Sequence, residues 1–242
     1  MEITICHLYP DFMNLYGDGG NVIALHRRAL WHGLQPRVIP VSVGMPCDLA
    51  ACDIIFMGGG QDREQKAIAR DFQSRSGELA AALQDQVVVL AICGAYQLLG
   101  SYYRTAAGEQ LPGLGLLDVW TEAGSPRLIG NVVVESELDG TRRTLVGFEN
   151  HGGRTYLGPA AAPLGQVVVG HGNNGQDRYE GAVQGSIIGT YLHGALLPKN
   201  PWFTDYLLRR ALARRGAEPT LGLLDDTLEN LAHRAAIRRA RG

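Results

Sequence analysis

Lysine is almost absent from this chain of 242 residues: of its 22 basic side chains only Lys66 and Lys199 are lysines. A skew that strong reflects genomic base composition, so clustered arginines carry little meaning of their own. Arg234, Arg238, Arg239 and Arg241 read as a solvated last helical turn favoured by the helix dipole; the alternative is contact with an anionic, membrane-held substrate. Cysteine is scarce as well. Cys6, Cys47, Cys52 and Cys93 show no CxxC spacing, so neither a zinc site nor a disulfide framework is indicated. No apolar run is long enough to span a bilayer, and Met1-Glu-Ile-Thr-Ile lacks the basic start of a signal peptide. The expectation is a cytoplasmic protein. A net charge of −2 gives no general attraction to nucleic acid. GxxxxGK[ST] is missing too, which leaves nucleotide binding without support. With no internal repeat and no low-complexity linker, residues 1–242 are expected to form a single domain with C-terminal helices at about 201–239.

Against these absences one stretch stands out, Val87-Val-Val-Leu-Ala-Ile-Cys93-Gly-Ala-Tyr-Gln97-Leu-Leu-Gly100. Its β-branched apolar run predicts a buried strand that stops at a cysteine followed by small residues. Tyr96, Leu98 and Leu99 then begin a helical pattern. A nucleophile on such a turn stands clear of the sheet, faces the following N–H groups, and gains thiolate character from the helix N-terminus. Taken alone, the same residues also suit a small hydrophobe closing a strand. A second apolar run, Ser186-Ile-Ile-Gly-Thr-Tyr-Leu-His193-Gly194, ends in a histidine. Both residues would then lie on one edge of a parallel sheet, where catalytic groups of open α/β folds collect. Cysteine and histidine are the minimum set for acyl transfer through a thiolate.

The rest of the chain predicts an α/β fold: an open, mostly parallel sheet with helices on both faces and an antiparallel extension. Strands are expected at Ile3–Leu8, Arg37–Val41 and Asp53–Met57. Asn21 reads as N-cap of a helix Val22–His32 that Gly33 stops. Beyond Leu117, short strands at Leu128–Glu135, Thr144–Glu149, Gln166–Val169, Tyr179–Val183 and Ile187–Leu192 should extend the sheet. Helices Pro201–Arg215 and Leu223–Arg239, joined by Gly216-Ala-Glu-Pro219, close the chain.

Gly58-Gly59-Gly60 follows a buried strand and could turn an N–H toward a ligand, or be an ordinary strand–helix turn. Donors at Gly59 and Gly94 would suit an oxyanion hole, each typically worth about 3–4 kcal/mol of barrier. Of the seven histidines, His26, His32, His171 and His233 read as solvated and His7 as packed on the first strand. His151, in Gly147-Phe-Glu-Asn-His151-Gly-Gly-Arg, rivals His193 as the base; His193 is favoured because its strand is the more apolar. Arg127 stands just before a strand, either as a carboxylate clamp or as a surface arginine.

The segment Ala91-Ile-Cys93-Gly-Ala95-Tyr-Gln97 resembles the G-x-C-x-G-x-Q nucleophile motif of class I glutamine amidotransferases, in the form of the cobyric acid synthase-like branch. Four more segments resemble the glutamine amidotransferase subunits of lipid II isoglutaminyl synthases. They are Leu8-Tyr-Pro-Asp-Phe-Met-Asn-Leu-Tyr-Gly-Asp-Gly-Gly-Asn21, Met57-Gly-Gly-Gly-Gln-Asp-Arg-Glu-Gln65, Gly147–Thr155 and Gly189–Gly194, and the first is the most specific. The resemblance implies a glutaminase that passes ammonia to a Mur ligase-like synthetase subunit in a heterodimer. The partner would amidate the α-carboxylate of D-glutamate in a lipid-linked peptidoglycan precursor. It implies Cys93 as nucleophile, His193 as base, and Arg127 and Gln97 as glutamine-binding residues. It implies no cofactor or metal in this chain, with ATP and metal in the partner. Two departures stand out. Ala91 and Ala95 replace the flanking glycines, and Ala195 stands where an H-x-E triad has its glutamate. The expectation is therefore a dyad, with the partner supplying the acid. Amidation of a corrinoid or other carboxylate, and a non-catalytic scaffold, are the competing readings.

Overall fold

The computed structural model describes residues 1–217 and 220–242. Six strands form the first sheet: β1 (Glu2–Leu8), β2 (Gln35–Val41), β3 (Ile54–Met57), β4 (Val88–Ile92), β11 (Ala182–Gln184) and β12 (Ile187–Thr190). Their order is β11-β12-β4-β3-β1-β2, and every pairing is parallel except β11 with β12. β3 and β4 are buried along their whole length, as their unbroken apolar runs require of central parallel strands.

Helix α1 (Gly19–Trp31) packs on β1, β2 and α5 (Pro201–Arg214), and α5 also packs on β4. The connections α2 (Asp62–Ser74), α3 (Ser76–Gln84) and α4 (Gly94–Leu99) form a second group. α6 (Thr227–Arg241) closes the chain and leaves no residue fully buried. Among the described residues no helix is long and apolar enough to cross a membrane.

The α/β class is the one the alternation predicts, but the antiparallel extension of the first sheet is β11 alone. The other late strands form a second sheet whose spine is the long antiparallel pair β7 (Val119–Ser136) and β8 (Arg143–Leu157); β5 (Tyr102–Arg104), β6 (Gln110–Pro112), β9 (Gly165–Val169) and β10 (Tyr179–Glu180) are short. The order is β10-β9-β7-β5-β6, with β8 on β7. The strand expected at Tyr179–Val183 breaks at Gly181, whose φ is +63°, and its two halves join different sheets.

Helix α1 starts earlier than its expected cap. Asn21 lies inside it, buried, and its Oδ1 accepts the Leu197 N–H at 2.8 Å. Of the joint expected at Gly216–Pro219, residues 218–219 lie outside the described residues. His32 and His233 are not solvated. His32 meets Asp205 at 3.0 Å, and His233 joins Thr144 Oγ1 at 2.7 Å to the Lys199 carbonyl at 2.8 Å, fastening α6 to β8.

Candidate active site

The carboxyl ends of β1, β3, β4 and β12 meet on one edge of the parallel sheet. β4 runs directly into Cys93, which has φ 51° and ψ −103° before α4 begins. A non-glycine residue held there stores strain of order 1–3 kcal/mol, as the elbow geometry demands. The neighbouring Ala91 and Ala95 are fully buried, so methyl groups fit where the general motif has glycine. His193 stands three residues beyond β12, held by a two-way backbone bridge to Phe148 of β8 (His193 N to Phe148 O 2.8 Å, Phe148 N to His193 O 3.2 Å). The second sheet thus fixes the histidine while the first fixes the cysteine.

Gly59, two residues beyond β3, is wedged between them. A Cβ there would lie 2.5 Å from His193 Cε1 and 3.3 Å from Cys93 Cβ. Its absence lets imidazole and thiol share one space. The Gly59 N–H is not available to an oxyanion, because it is donated to Asp18 Oδ2 at 2.7 Å. That corrects the expected role of Gly59. The next residue, Gly60, lines the cavity in front of Cys93, and its N–H makes no hydrogen bond among the described residues. Gly94 abuts it: a Cβ on Gly94 would stand 2.7 Å from Gly60 O and 3.1 Å from Gly60 N. Gly60 and Gly94, the latter in the open first turn of α4, are therefore adjacent.

The carboxylate missing at position 195 comes from elsewhere in the same chain. Asp18, directly before α1, is fully buried and places Oδ1 and Oδ2 at 3.3 and 3.2 Å from His193 Nδ1. An ionised carboxylate only accepts, so Nδ1 carries the proton and Nε2 is left for Cys93. Among the described residues Nε2 makes no hydrogen bond. Burial alone would lower the pKa of His193. The Cys93 sulfur and the Asp18 carboxylate outweigh it and raise the pKa from 6.5 to about 10. Nothing in the sequence marks Asp18 as the acid, because the histidine motif places that group at position 195, although Asp18 lies within the segment Leu8–Asn21.

Tyr16, in a short turn after β1, stands edge-on to His193 with ring centroids 5.1 Å apart. It helps to wall a cavity of about 410 Å³ together with Gly60, Cys93, Gln97, Arg127 and His151. Arg127 sits where the β7–β8 register jumps between Ala123 and Leu128, a bulge that swings the side chain toward the cavity mouth. Asn150 holds it there, accepting from Nε at 2.9 Å on its side chain and from Nη2 at 2.8 Å on its carbonyl. Gln97 also borders the cavity, but its amide is committed to Tyr191 Oη at 3.0 Å and to Gln65 Nε2 at 3.1 Å. It braces the cavity floor.

His151 borders the same cavity in a different state. It is buried, stacks face to face on Tyr191 at 3.6 Å, and shares a 2.8 Å hydrogen bond between Nδ1 and the Gly153 carbonyl. Burial lowers its pKa, despite Glu149 nearby. It has neither the thiol nor the hydrogen-bonded carboxylate that His193 has.

The profile of the CobB/CobQ-like glutamine amidotransferase domain matches residues 4–201. The chain is 43% identical to the lipid II isoglutaminyl synthase (glutamine-hydrolyzing) subunit GatD of Staphylococcus aureus, covering 99% of this chain and 96% of that protein. It is 40% identical to the Streptococcus pneumoniae subunit of the same name, covering 94% of this chain and 87% of that one. Cobyric acid synthase of Limosilactobacillus reuteri is 29% identical over 81% of this chain, but this chain spans only 38% of it. A glutamine amidotransferase structure from Thermotoga maritima shares the fold, with a TM-score of 0.54 at 15% identity over 99% of this chain and 92% of that one.

Proposed function

The chain belongs to the CobB/CobQ-like glutamine amidotransferase family, and from that membership we propose that it is the glutamine-hydrolysing subunit of a peptidoglycan-amidating enzyme. Its partner would be a Mur ligase-like synthetase carrying ATP and metal. That subunit would convert the α-carboxylate of D-glutamate in lipid II to the amide. Near full-length similarity to two subunits of lipid II isoglutaminyl synthase supports this acceptor over a corrinoid.

The observation that carries the hydrolytic half is the buried line Asp18–His193–Cys93, ending at a cavity with Arg127 at its mouth. In the proposed reaction Arg127 pairs with the α-carboxylate of glutamine, leaving the side-chain amide at Cys93. The Cys93 thiolate attacks the amide carbon, and the Gly60 and Gly94 N–H groups face the oxygen that becomes negative. His193 gives its Nε2 proton to the departing nitrogen, releasing ammonia and a γ-glutamyl thioester. The imidazole then takes a proton from water, which attacks the thioester and frees glutamate and the thiol. Asp18 holds Nδ1–H throughout and fixes the tautomer.

The experiment is Cys93→Ala in complex with the synthetase subunit. Glutamine-dependent amidation should vanish while amidation from added ammonium salt persists. Retention of normal glutaminase activity would refute the hydrolytic role, and failure with lipid II but activity on another carboxylate would reassign the acceptor.

A further inference from the structure

Three cysteines that the proposed chemistry does not use come together below the sheet edge. Cys6 lies on β1 and is fully buried; Cys52 precedes β3 and is 1% exposed; Cys47 belongs to the β2–β3 connection and is half-buried. Their sulfur atoms all lie within 4.8 Å of one another. The chain spacing gives no sign of this, because one of the three comes from a strand distant in sequence.

We propose that Cys6, Cys47 and Cys52 form a binding site for one Zn²⁺ ion, with the fourth coordination position facing the cavity beside Cys47. Tetrahedral Zn–S bonds of about 2.3 Å put sulfur atoms roughly 3.8 Å apart, so only a modest closure of the triangle is required. A disulfide would use two of the thiols and strand the third, whereas a metal ion uses all three. The cavity beside Cys47 is about 350 Å³ and is bordered by Asp48 and Glu78. Asp48 takes the Ala50 and Ala51 N–H groups on Oδ1, which leaves Oδ2 for the ion or for a water on it. Cys52 Sγ already lies 3.5 Å from the Asp48 carbonyl, so the loop is folded back over the sulfurs. Cys47 supplies the entry path from solvent.

Binding would proceed by loss of the thiol protons to solvent as the three Zn–S bonds form. No oxidant is needed. The ion would tie the β2–β3 connection to β1, whose end leads to Tyr9, Tyr16 and Asp18. Its role would be structural, with no part in the glutaminase reaction.

The test is a Zn²⁺ titration of the reduced, full-length chain in a Cys93→Ala background, which removes the only other thiol. About one equivalent should resist a weak chromophoric chelator, and added Zn²⁺ should raise the Tm. Co²⁺ in its place should give sulfur-to-metal charge-transfer absorption. Cys47→Ser is the main variant, since a half-buried position tolerates the change; it should weaken Zn²⁺ binding by at least about 100-fold and abolish the charge-transfer band. Cys52→Ala should do the same. Equal Zn²⁺ retention by Cys47→Ser and its parent would overturn the proposal. So would stoichiometric binding without a thiolate band, or a disulfide between two of the three cysteines in protein isolated without oxidant.

Discussion

Ala195 is packed against Gly20: a Cβ on Gly20 would stand 2.8 Å from that of Ala195. The contact explains why the position two residues after His193 carries no carboxylate. The turn after the histidine presses on the first turn of α1, and Ala195 is itself held at φ +48°, where a larger side chain is strained. The same first turn that fills the space brings its own acid, Asp18, to the far side of the imidazole. Ala195→Glu should therefore not substitute for Asp18. Combined with Asp18→Asn, it should leave glutamine turnover as low as Asp18→Asn alone and reduce the Tm; recovery of turnover in the double variant would show that the acid can be supplied from position 195.

Asp18→Asn should lower kcat for glutamine by about 10²–10⁴-fold with a smaller change in KM. An amide can donate to Nδ1 and so favour the tautomer that puts the proton on Nε2. The variant keeps an oxygen for the Gly59 N–H, so a circular dichroism spectrum and Tm close to the parent are expected. Because the acid lies in this chain, no acidic residue of a partner is required for the imidazole to be oriented. Glutamate release by the free subunit should fall in Asp18→Asn by the same factor as in the assembled enzyme.

The parts of the site legible in the sequence were those written as strand-to-turn signals. Val87–Cys93 and Ser186–His193 are apolar runs ending in a reactive side chain, so both the sheet edge and the cysteine–histidine pair could be read from periodicity. Asp18 could not, because Leu8–Asn21 has neither strand nor helix period and its turn conformation is set by tertiary contacts such as Leu15 N to Gly59 O at 3.0 Å. Gly59 and Gly60 were also indistinguishable: which of two adjacent N–H groups stays free depends on where Asp18 lands. The second sheet is not legible in the sequence for a related reason. Strand propensity identifies strands, but the partner of each is decided by packing, and the break at Gly181 separates two strands that read as one.

The two histidines should separate cleanly. His193→Ala should abolish glutaminase turnover without loss of the fold, while His151→Ala should retain thioester chemistry. The cost of His151→Ala falls on stability, because it removes a ring stacked at 3.6 Å on Tyr191 and opens a void; about 1–3 kcal/mol is expected. Urea denaturation checks the stability, and trapping of the γ-glutamyl thioester checks the chemistry. Loss of the thioester in His151→Ala, with retention in His193→Ala, would move the base to position 151.

Arg127 is positioned by Asn150, so the pair should share a kinetic signature. Arg127→Ala should raise KM for glutamine by about 10–100-fold and leave kcat largely intact, as expected for a clamp that binds ground state and transition state alike. Asn150→Ala, which frees Nε and Nη2 from their acceptors, should raise KM in the same direction by less. An unchanged KM in Arg127→Ala would make it a surface residue.

The raised pKa of His193 sets a pH dependence of folding stability with a definite sign. Below about pH 6.5 the imidazole is protonated in both folded and unfolded chains, so the stabilisation from Cys93 and Asp18 is fully present. Between 6.5 and about 10 the folded chain keeps a proton that the unfolded chain has released. Stability attributable to this group must therefore decline as pH rises through that window, and it is gone above the folded pKa. Other groups titrate there as well, so the comparison is between parent and His193→Gln, both measured by urea denaturation from pH 6 to 10. The parent should lose more stability across the window than the variant, and Asp18→Asn should fall between them because it removes one of the two partners. A parent and His193→Gln with parallel pH profiles would mean that the imidazole does not hold its proton in the folded chain.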